Sequence, residues 1–300
     1  HMLDAGAQFS ARSIIAPQKI AGNRASDQVV EFFARDAWTR GPVLVTAGAR
    51  STSSSLWGSA LTPSLGAAWQ VSQAWRGRAS VSRGFRAPSF KEMRYTFSNP
   101  IASYTIVGNA NLEPESSWNT DLGFTFAPRT NVAFELDGYR TRVSNLIDTR
   151  FTGLNSAGFQ VYQNLNVARA SISGVEMTAR FALRDGEASL GYNYLRARDV
   201  DSNRQLDRRA THTARAQVSH RWRALSGLLT DVSMHYTGKA PIGQQTQGAM
   251  LAVDGQLRYD VSGRFELSAG VDNLFDQRPA MWTPASQRQL FLGVRAHTGG

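Results

Sequence analysis

The stretch MLAVDGQLRYDVSGRFELSAGVD, Met250 to Asp272, decides how this chain folds. Leu251, Val253, Leu257, Tyr259 and Val261 occupy alternate positions, with Asp254, Gln256, Arg258 and Asp260 between them. Successive side chains of an extended strand point to opposite faces, so the alternation describes a strand with one apolar and one polar side. Beyond Ser262-Gly263, Phe265, Leu267, Ala269 and Val271 alternate with Glu266, Ser268, Gly270 and Asp272, which predicts an antiparallel partner.

Working outward, the same period recurs at Leu3–Ala11, Val30–Trp38, Val43–Ala49, Leu61–Val71, Trp75–Phe85, Trp118–Phe126 and Val132–Ile147. It continues at Phe159–Leu183, Ala188–Tyr194, His212–Trp222, Leu228–Tyr236 and Leu290–Ala296. With the opening hairpin this makes about fourteen strands, several longer than the usual five or six residues. Tight connections such as Ala127-Pro128-Arg129-Thr130 and Leu183-Arg184-Asp185-Gly186 alternate with long ones at Pro88–Pro114, Asp148–Gly158, Arg198–Arg209, Gly238–Gly248 and Asp276–Ser286. Short turns at one end and long loops at the other are the layout of an outer-membrane β-barrel. Trp38, Trp69, Trp75, Trp118, Trp222 and Tyr236 fall near strand ends, where interfacial girdles sit. The expected fold is therefore all-β, an antiparallel transmembrane barrel forming one domain over residues 1–300, with a soluble β-sandwich or β-helix as the competing architecture.

Composition agrees. No run approaches the roughly 18 consecutive apolar residues of a membrane-spanning helix, which leaves a closed barrel as the spanning option. The mean hydropathy of −0.32 is negative, as expected when half of each strand faces water. With no cysteine, disulfides, thiolate metal sites and cysteine nucleophiles are excluded. The net charge of +10 favours anionic partners, but the arginines are spread along the chain without a compact basic helix or a stacking motif, so nucleic acid is not among the expected partners. His1-Met2 has the look of a tag-removal scar, with no signal peptide after it.

The run Val81-Ser82-Arg83-Gly84-Phe85-Arg86-Ala87-Pro88-Ser89-Phe90, followed by Gly108-Asn109-Ala110-Asn111-Leu112-Glu113-Pro114-Glu115, resembles the paired motifs that bracket a large extracellular loop in TonB-dependent outer-membrane receptors. Tyr139-Arg140 through Leu146-Ile147-Asp148, then Tyr162-Gln163-Asn164 and Gly174-Val175-Glu176, is similar to the family's following hairpin. Gly270-Val271-Asp272-Asn273-Leu274-Phe275-Asp276 is similar to its penultimate strand, and Phe32–Asp36 and Thr46–Arg50 match more loosely.

The resemblance implies a barrel of about 22 strands closed by an N-terminal plug, of which this chain supplies roughly the last two-thirds. Plug and TonB box are missing from this sequence, so coupling to the TonB protein would run only through that missing plug. The end Arg295-Ala296-His297-Thr298-Gly299-Gly300 also departs from the aromatic final residue of the family.

The implied function is an outer-membrane receptor taking up a metal chelate, a ferric siderophore or a corrinoid, with outer-membrane lipid around it. Haem is disfavoured, because family haem receptors carry a histidine between the two loop motifs and none stands between Pro88 and Asn109. Recognition in the family lies on loops and the upper lumen, where aromatic and arginine side chains supply stacking and charge. That makes Arg94, Tyr95, Phe97 and Tyr104 the ligand candidates in the long loop and Arg278 and Trp282 those in the last loop.

No GxSxG elbow, HExxH or phosphate-cradling loop occurs, so neither enzymatic activity nor a resident cofactor is expected. His212, His220, His235 and His297 do not pair at metal-ligand spacing. Asp254, Asp260, Glu266 and Asp272 recur beside arginines, as lumen ion pairs would. The alternatives are a passive channel or structural barrel and, further off, a soluble β-sandwich binding module.

Overall fold

The computed structural model describes residues 1–277 and 287–296. Fourteen strands run as one antiparallel meander. In chain order they are β1 (Met2–Ile15), β2 (Arg24–Arg40), β3 (Val43–Ser54), β4 (Gly58–Gln70), β5 (Trp75–Arg86), β8 (Glu115–Arg129), β9 (Val132–Leu154), β10 (Gln160–Leu183), β11 (Gly186–Asp199), β12 (His212–Arg221), β13 (Leu228–Thr237), β16 (Met250–Asp260), β17 (Phe265–Asp272) and β18 (Gln289–Ala296). The loops add the helix α1 (Phe90–Arg94) and the short strands β6 (Thr96–Asn99), β7 (Tyr104–Val107), β14 (Ala240–Ile242) and β15 (Gln245–Gln247). Among the described residues β1 and β18 each pair on one side only, so the sheet has two free edges.

Register carries the alternation from strand to strand. Leu257 pairs with Ala269 and Tyr259 with Leu267, while Arg258 pairs with Ser268 and Asp260 with Glu266, so each face stays chemically uniform across the hairpin. Leu267 and Ala269 then meet Val294 and Leu292 of β18. The apolar face is open: Leu65, Leu122, Leu190, Leu257 and Leu292 are exposed, and the small core among the described residues lies at the loop end of the sheet. A sandwich would seal this face with a second layer. Here one sheet holds the strands, and the uncovered apolar side is the surface a bilayer solvates.

The opposite face carries ion pairs between adjacent or next-adjacent strands. Arg78 meets Asp137, Arg180 meets Glu135 at 2.8 Å, Arg258 meets Asp231 at 2.8 Å and Arg295 meets Glu266 at 3.5 Å. Two of the expected lumen carboxylates do other work. Asp260 accepts the backbone N–H groups of Ser262 and Gly263 and shapes the turn, and Asp254 accepts from Ser233 Oγ and Asn273 N.

The two ends differ as anticipated. Turns at 41–42, 130–131 and 184–185 are two residues long, and aromatic rings gather on the apolar face beside the turn end. Trp75 stacks on Phe126 with centroids 4.2 Å apart, Phe126 lies 6.2 Å from Phe134, and Phe134 lies 5.9 Å from Phe181, which gives a continuous belt across β5, β8, β9 and β10. Such rings suit the membrane–water boundary.

One connection departs from expectation. The segment Asp148–Gly158 is mostly strand, because β9 and β10 run 23 and 24 residues and leave only 155–159 as the connection. At ~3.3 Å per residue these strands far outreach an apolar band about 25 Å tall. Above that band both faces meet water, so the end of β9 beyond Ile147 carries polar residues on both sides and loses its period-two signature.

Candidate functional site

The long loop between β5 and β8 has a tied base and an open tip. At the base, Ser89 caps α1: its Oγ accepts from Glu92 N at 3.2 Å, and the Glu92 carboxylate accepts from Ser89 N at 2.7 Å, a reciprocal capping box. Arg86, the last residue of β5, donates to Glu92 at 3.1 Å and also to Glu115, the first residue of β8, so one guanidinium ties the departing and returning ends of the loop. Burial opposes the charge on Glu92, but the bonds from Arg86 and Ser89 outweigh it and hold the carboxyl below the ordinary range. Met93 and Leu112, each 2% exposed, pack with Trp57 against Phe85, Ala87 and Ile147, and Pro88 is buried beside them.

Asparagines complete the base. Asn109 donates its backbone N–H to Glu92 O and its Nδ2 to Asn164 O, and its Oδ1 accepts from Asn111 N. Asn166 donates to the carbonyls of Glu113 and Asn145 and accepts from Glu113 N at 2.9 Å. Glu115 accepts from Ile147 N at 2.9 Å, just below Pro114. The motif residues Phe85, Arg86, Ala87, Pro88, Asn109, Asn111, Leu112, Pro114 and Glu115 thus form one anchoring node that fastens the loop to the β9–β10 hairpin. Gly108 is obligatory here: a Cβ would stand 2.7 Å from Arg94 N, where the loop returns against α1. Trp57, Met93 and Asn166 belong to the same node and carried no sequence signal, since a single Trp or Met in a loop, or a single Asn in a strand, does not reveal the partner it packs on.

The tip is the β6–β7 hairpin, and β7 lies parallel to the start of β10. Phe97 and Tyr104 face each other at 6.1 Å, Tyr104 meets Tyr162 edge-on at 6.4 Å, and Tyr162 meets Phe151 at 5.8 Å. Ile101, at the turn, is 99% exposed. Arg94 is exposed at the end of α1, at the root of this hairpin. Arg94, Phe97 and Tyr104 therefore share one loop, and Tyr162 and Phe151 join their aromatic ladder. Tyr95 has a different position: it bridges to Ile20, and its carbonyl accepts from Gly108 N, so its backbone belongs to the base. Arg278 and Trp282 lie outside the described residues.

The second motif, Asn273-Leu274-Phe275, turns the chain out of β17. Asn273 is buried with φ +50°, and its side chain bonds Gln277 through both its oxygen and its nitrogen. Leu274 N donates to Val253 O, and Gln277 accepts from Leu251 N, which closes the turn onto β16. Leu274 and Phe275 are exposed. This motif, like the first, holds backbone.

Comparison with known proteins identifies the architecture. Residues 3–274 match the family described as TonB dependent receptor-like, beta-barrel. The chain is 34% identical over 162 residues, 48% of its length and 16% of the relative's, to a probable hemoglobin and hemoglobin-haptoglobin-binding protein 4 of Haemophilus influenzae. It is 28% identical over 264 residues to the vitamin B12 transporter BtuB of Vibrio cholerae, covering 84% of this chain and 39% of that protein. Among solved structures, a variant of the ferric enterobactin receptor PfeA of Pseudomonas aeruginosa in complex with enterobactin superposes with a TM-score of 0.83 at 19% identity, over 98% of this chain and 51% of that one. The chain thus spans about half or less of the proteins it matches. With the meander, the uncovered apolar face and the loop motifs in place, it belongs to the TonB-dependent receptor family of the bacterial outer membrane.

Proposed function

We propose that this chain is the β-barrel portion of a receptor that captures a metal chelate, a ferric siderophore or a corrinoid, on its long-loop end. The observation that carries the reading is the loop 87–114, whose tied base holds exposed Arg94 at the root of a hairpin that carries the Phe97–Tyr104 pair. A cation and aromatic faces on one loop suit an anionic ligand with flat, delocalised rings. Arg278 and Trp282 are proposed to add to it from the last loop. The relatives named for vitamin B12 and the solved receptor holding enterobactin support that ligand class. Haem stays the disfavoured ligand for want of a histidine in the loop, although one relative is named for hemoglobin.

The free edges of β1 and β18 favour a share in a larger barrel over a self-contained channel. Unpaired backbone groups in hydrocarbon cost several kcal/mol each, so both edges need strand partners in a bilayer. Energy coupling would then reach this chain only through a plug. The test is ligand titration of the receptor in detergent, followed by tryptophan fluorescence, with ferric enterobactin, cyanocobalamin and haemin as probes. Saturable quenching by one of the first two, lost in Arg94→Ala and Phe97→Ala, is the expected result. An open conductance in planar bilayers that no probe blocks would instead favour the passive barrel.

A further inference from the structure

The apolar face changes character toward the loop end of β9, β10 and β11. Pairing there sets two rows side by side: Arg142–Ser171–Arg198, and next to it Arg140–Ser173–Arg196. All six lie on the apolar face, in phase with Leu136 on β9, Met177 on β10 and Tyr192 on β11. Strands ~4.8 Å apart put the two arginines of each row about 10 Å from each other with only a serine between. Arg83 of β5 extends the first row through Trp118. Among the described residues, Arg83, Arg140, Arg142 and Arg196 have no carboxylate partner, and Arg198 is bonded to Asn203 Oδ1. The nearest acid lining the patch, Asp199, already accepts from Ser202 N at 2.7 Å. A cleft of about 330 Å³ opens among Arg140, Ser171, Ser173, Arg196 and Arg198.

Like charges on one patch of a sheet repel each other, and an anion between them turns that repulsion into attraction. Two features of the same strands say what kind of anion. Tyr192 and Tyr194 come next below the arginines of β11, where interfacial aromatics belong. Below them the same face is apolar, with Leu136 and Met177 exposed on it. A free phosphate has no use for that surface, whereas the acyl chains of a lipid lie against it.

We propose that this surface binds a phosphate-bearing lipid of the outer leaflet, with the headgroup phosphate held by Arg140, Arg142, Arg196 and Arg198 and the acyl chains lying against the apolar face beneath. Guanidinium groups meet phosphate oxygens in bidentate fashion, and the intervening serines add hydroxyl donors. The long-loop end is the extracellular one, which fixes the leaflet.

The test uses the receptor in nanodiscs of phosphatidylcholine with and without phosphatidic acid, and reads its unfolding temperature and, by native mass spectrometry, the lipid it retains. Phosphatidic acid is expected to raise the unfolding temperature and to be retained, while inorganic phosphate at the same concentration does neither. In the double variant Arg140→Gln, Arg196→Gln, retention should weaken about tenfold or more and the thermal shift should vanish. Arg76→Gln, which removes a charge from the polar face, should keep both. An unchanged heat-modifiable gel band shows that the barrel of the double variant is intact; if that band is lost, Arg140→Lys, which keeps the charge but loses the fork, supplies the comparison and should retain lipid more weakly than the wild type. Equal retention by wild type and variant, or a shift reproduced by inorganic phosphate, overturns the proposal.

Discussion

The base and the tip of the loop between β5 and β8 are one covalent segment with opposite physics. At the base, Met93 and Leu112 are buried, Arg86 joins both ends, and the segment 109–115 is tied to the β9–β10 hairpin by the bonds Asn109–Asn164, Asn166–Glu113 and Ile147–Glu115. At the tip, Phe97 is exposed, Ile101 is almost wholly so, and the rings lean mainly on one another. The difference teaches where the motif residues act. They fix the position of the tip and leave its chemistry free to vary, which is how a rigid scaffold carries a variable binding surface.

The comparison is broken most severely by Leu112→Ala. Deleting a buried leucine costs about 2–5 kcal/mol, and here the loss falls on the base alone, so limited proteolysis should cut within 87–114 while the barrel keeps its heat-modifiable mobility. Asn166→Ala comes next. It removes the bonds to the Glu113 and Asn145 carbonyls, worth about 0.5–1.5 kcal/mol each, and should raise hydrogen exchange at residues 109–115 more than at 96–107.

Tip substitutions sharpen the contrast from the other side. Tyr104→Ala should change stability by about 0.5 kcal/mol or less, as surface changes do, yet weaken chelate binding in a fluorescence titration. A tip that loosened the base would erase the distinction between the two regions.

The smallest effect is that of pH. Glu92 has a lowered pKa in the folded loop, so its contribution is complete above the ordinary carboxylate value and is lost as pH falls through the lowered one. Protease resistance of the loop should therefore decline below about pH 4, and Glu92→Gln should flatten that decline while lowering resistance at neutral pH.

Most of the barrel was legible because lipid on one side and water on the other impose a period of two on every spanning strand. Where that asymmetry ends, so does legibility. The upper β9–β10 hairpin is wet on both sides, and the end of β9 beyond Ile147 reads as a loop. The anchoring node was visible as a motif, but its partners Trp57, Met93 and Asn166 come from distant segments and show only once the chain is folded. The arginine–serine rows needed the register itself, because Arg140 and Arg196 are 56 positions apart in sequence and two strands apart in space. Of the ligand candidates, Phe97 and Tyr104 could be read from loop composition, whereas the structural use of the Tyr95 backbone could not.

Everything in the fold depends on which face of the sheet meets lipid. The chain has no cysteine, so single cysteines can be placed at will. Nitroxide labels at Leu257→Cys and Leu267→Cys, against labels at Gln256→Cys and Ser268→Cys, would be read for collision with oxygen and with a water-soluble nickel complex in the receptor reconstituted into liposomes. Oxygen should dominate at the first pair and nickel at the second, alternating residue by residue. Nickel dominating at all four positions, or oxygen at the second pair and nickel at the first, would contradict a barrel whose apolar face greets the bilayer.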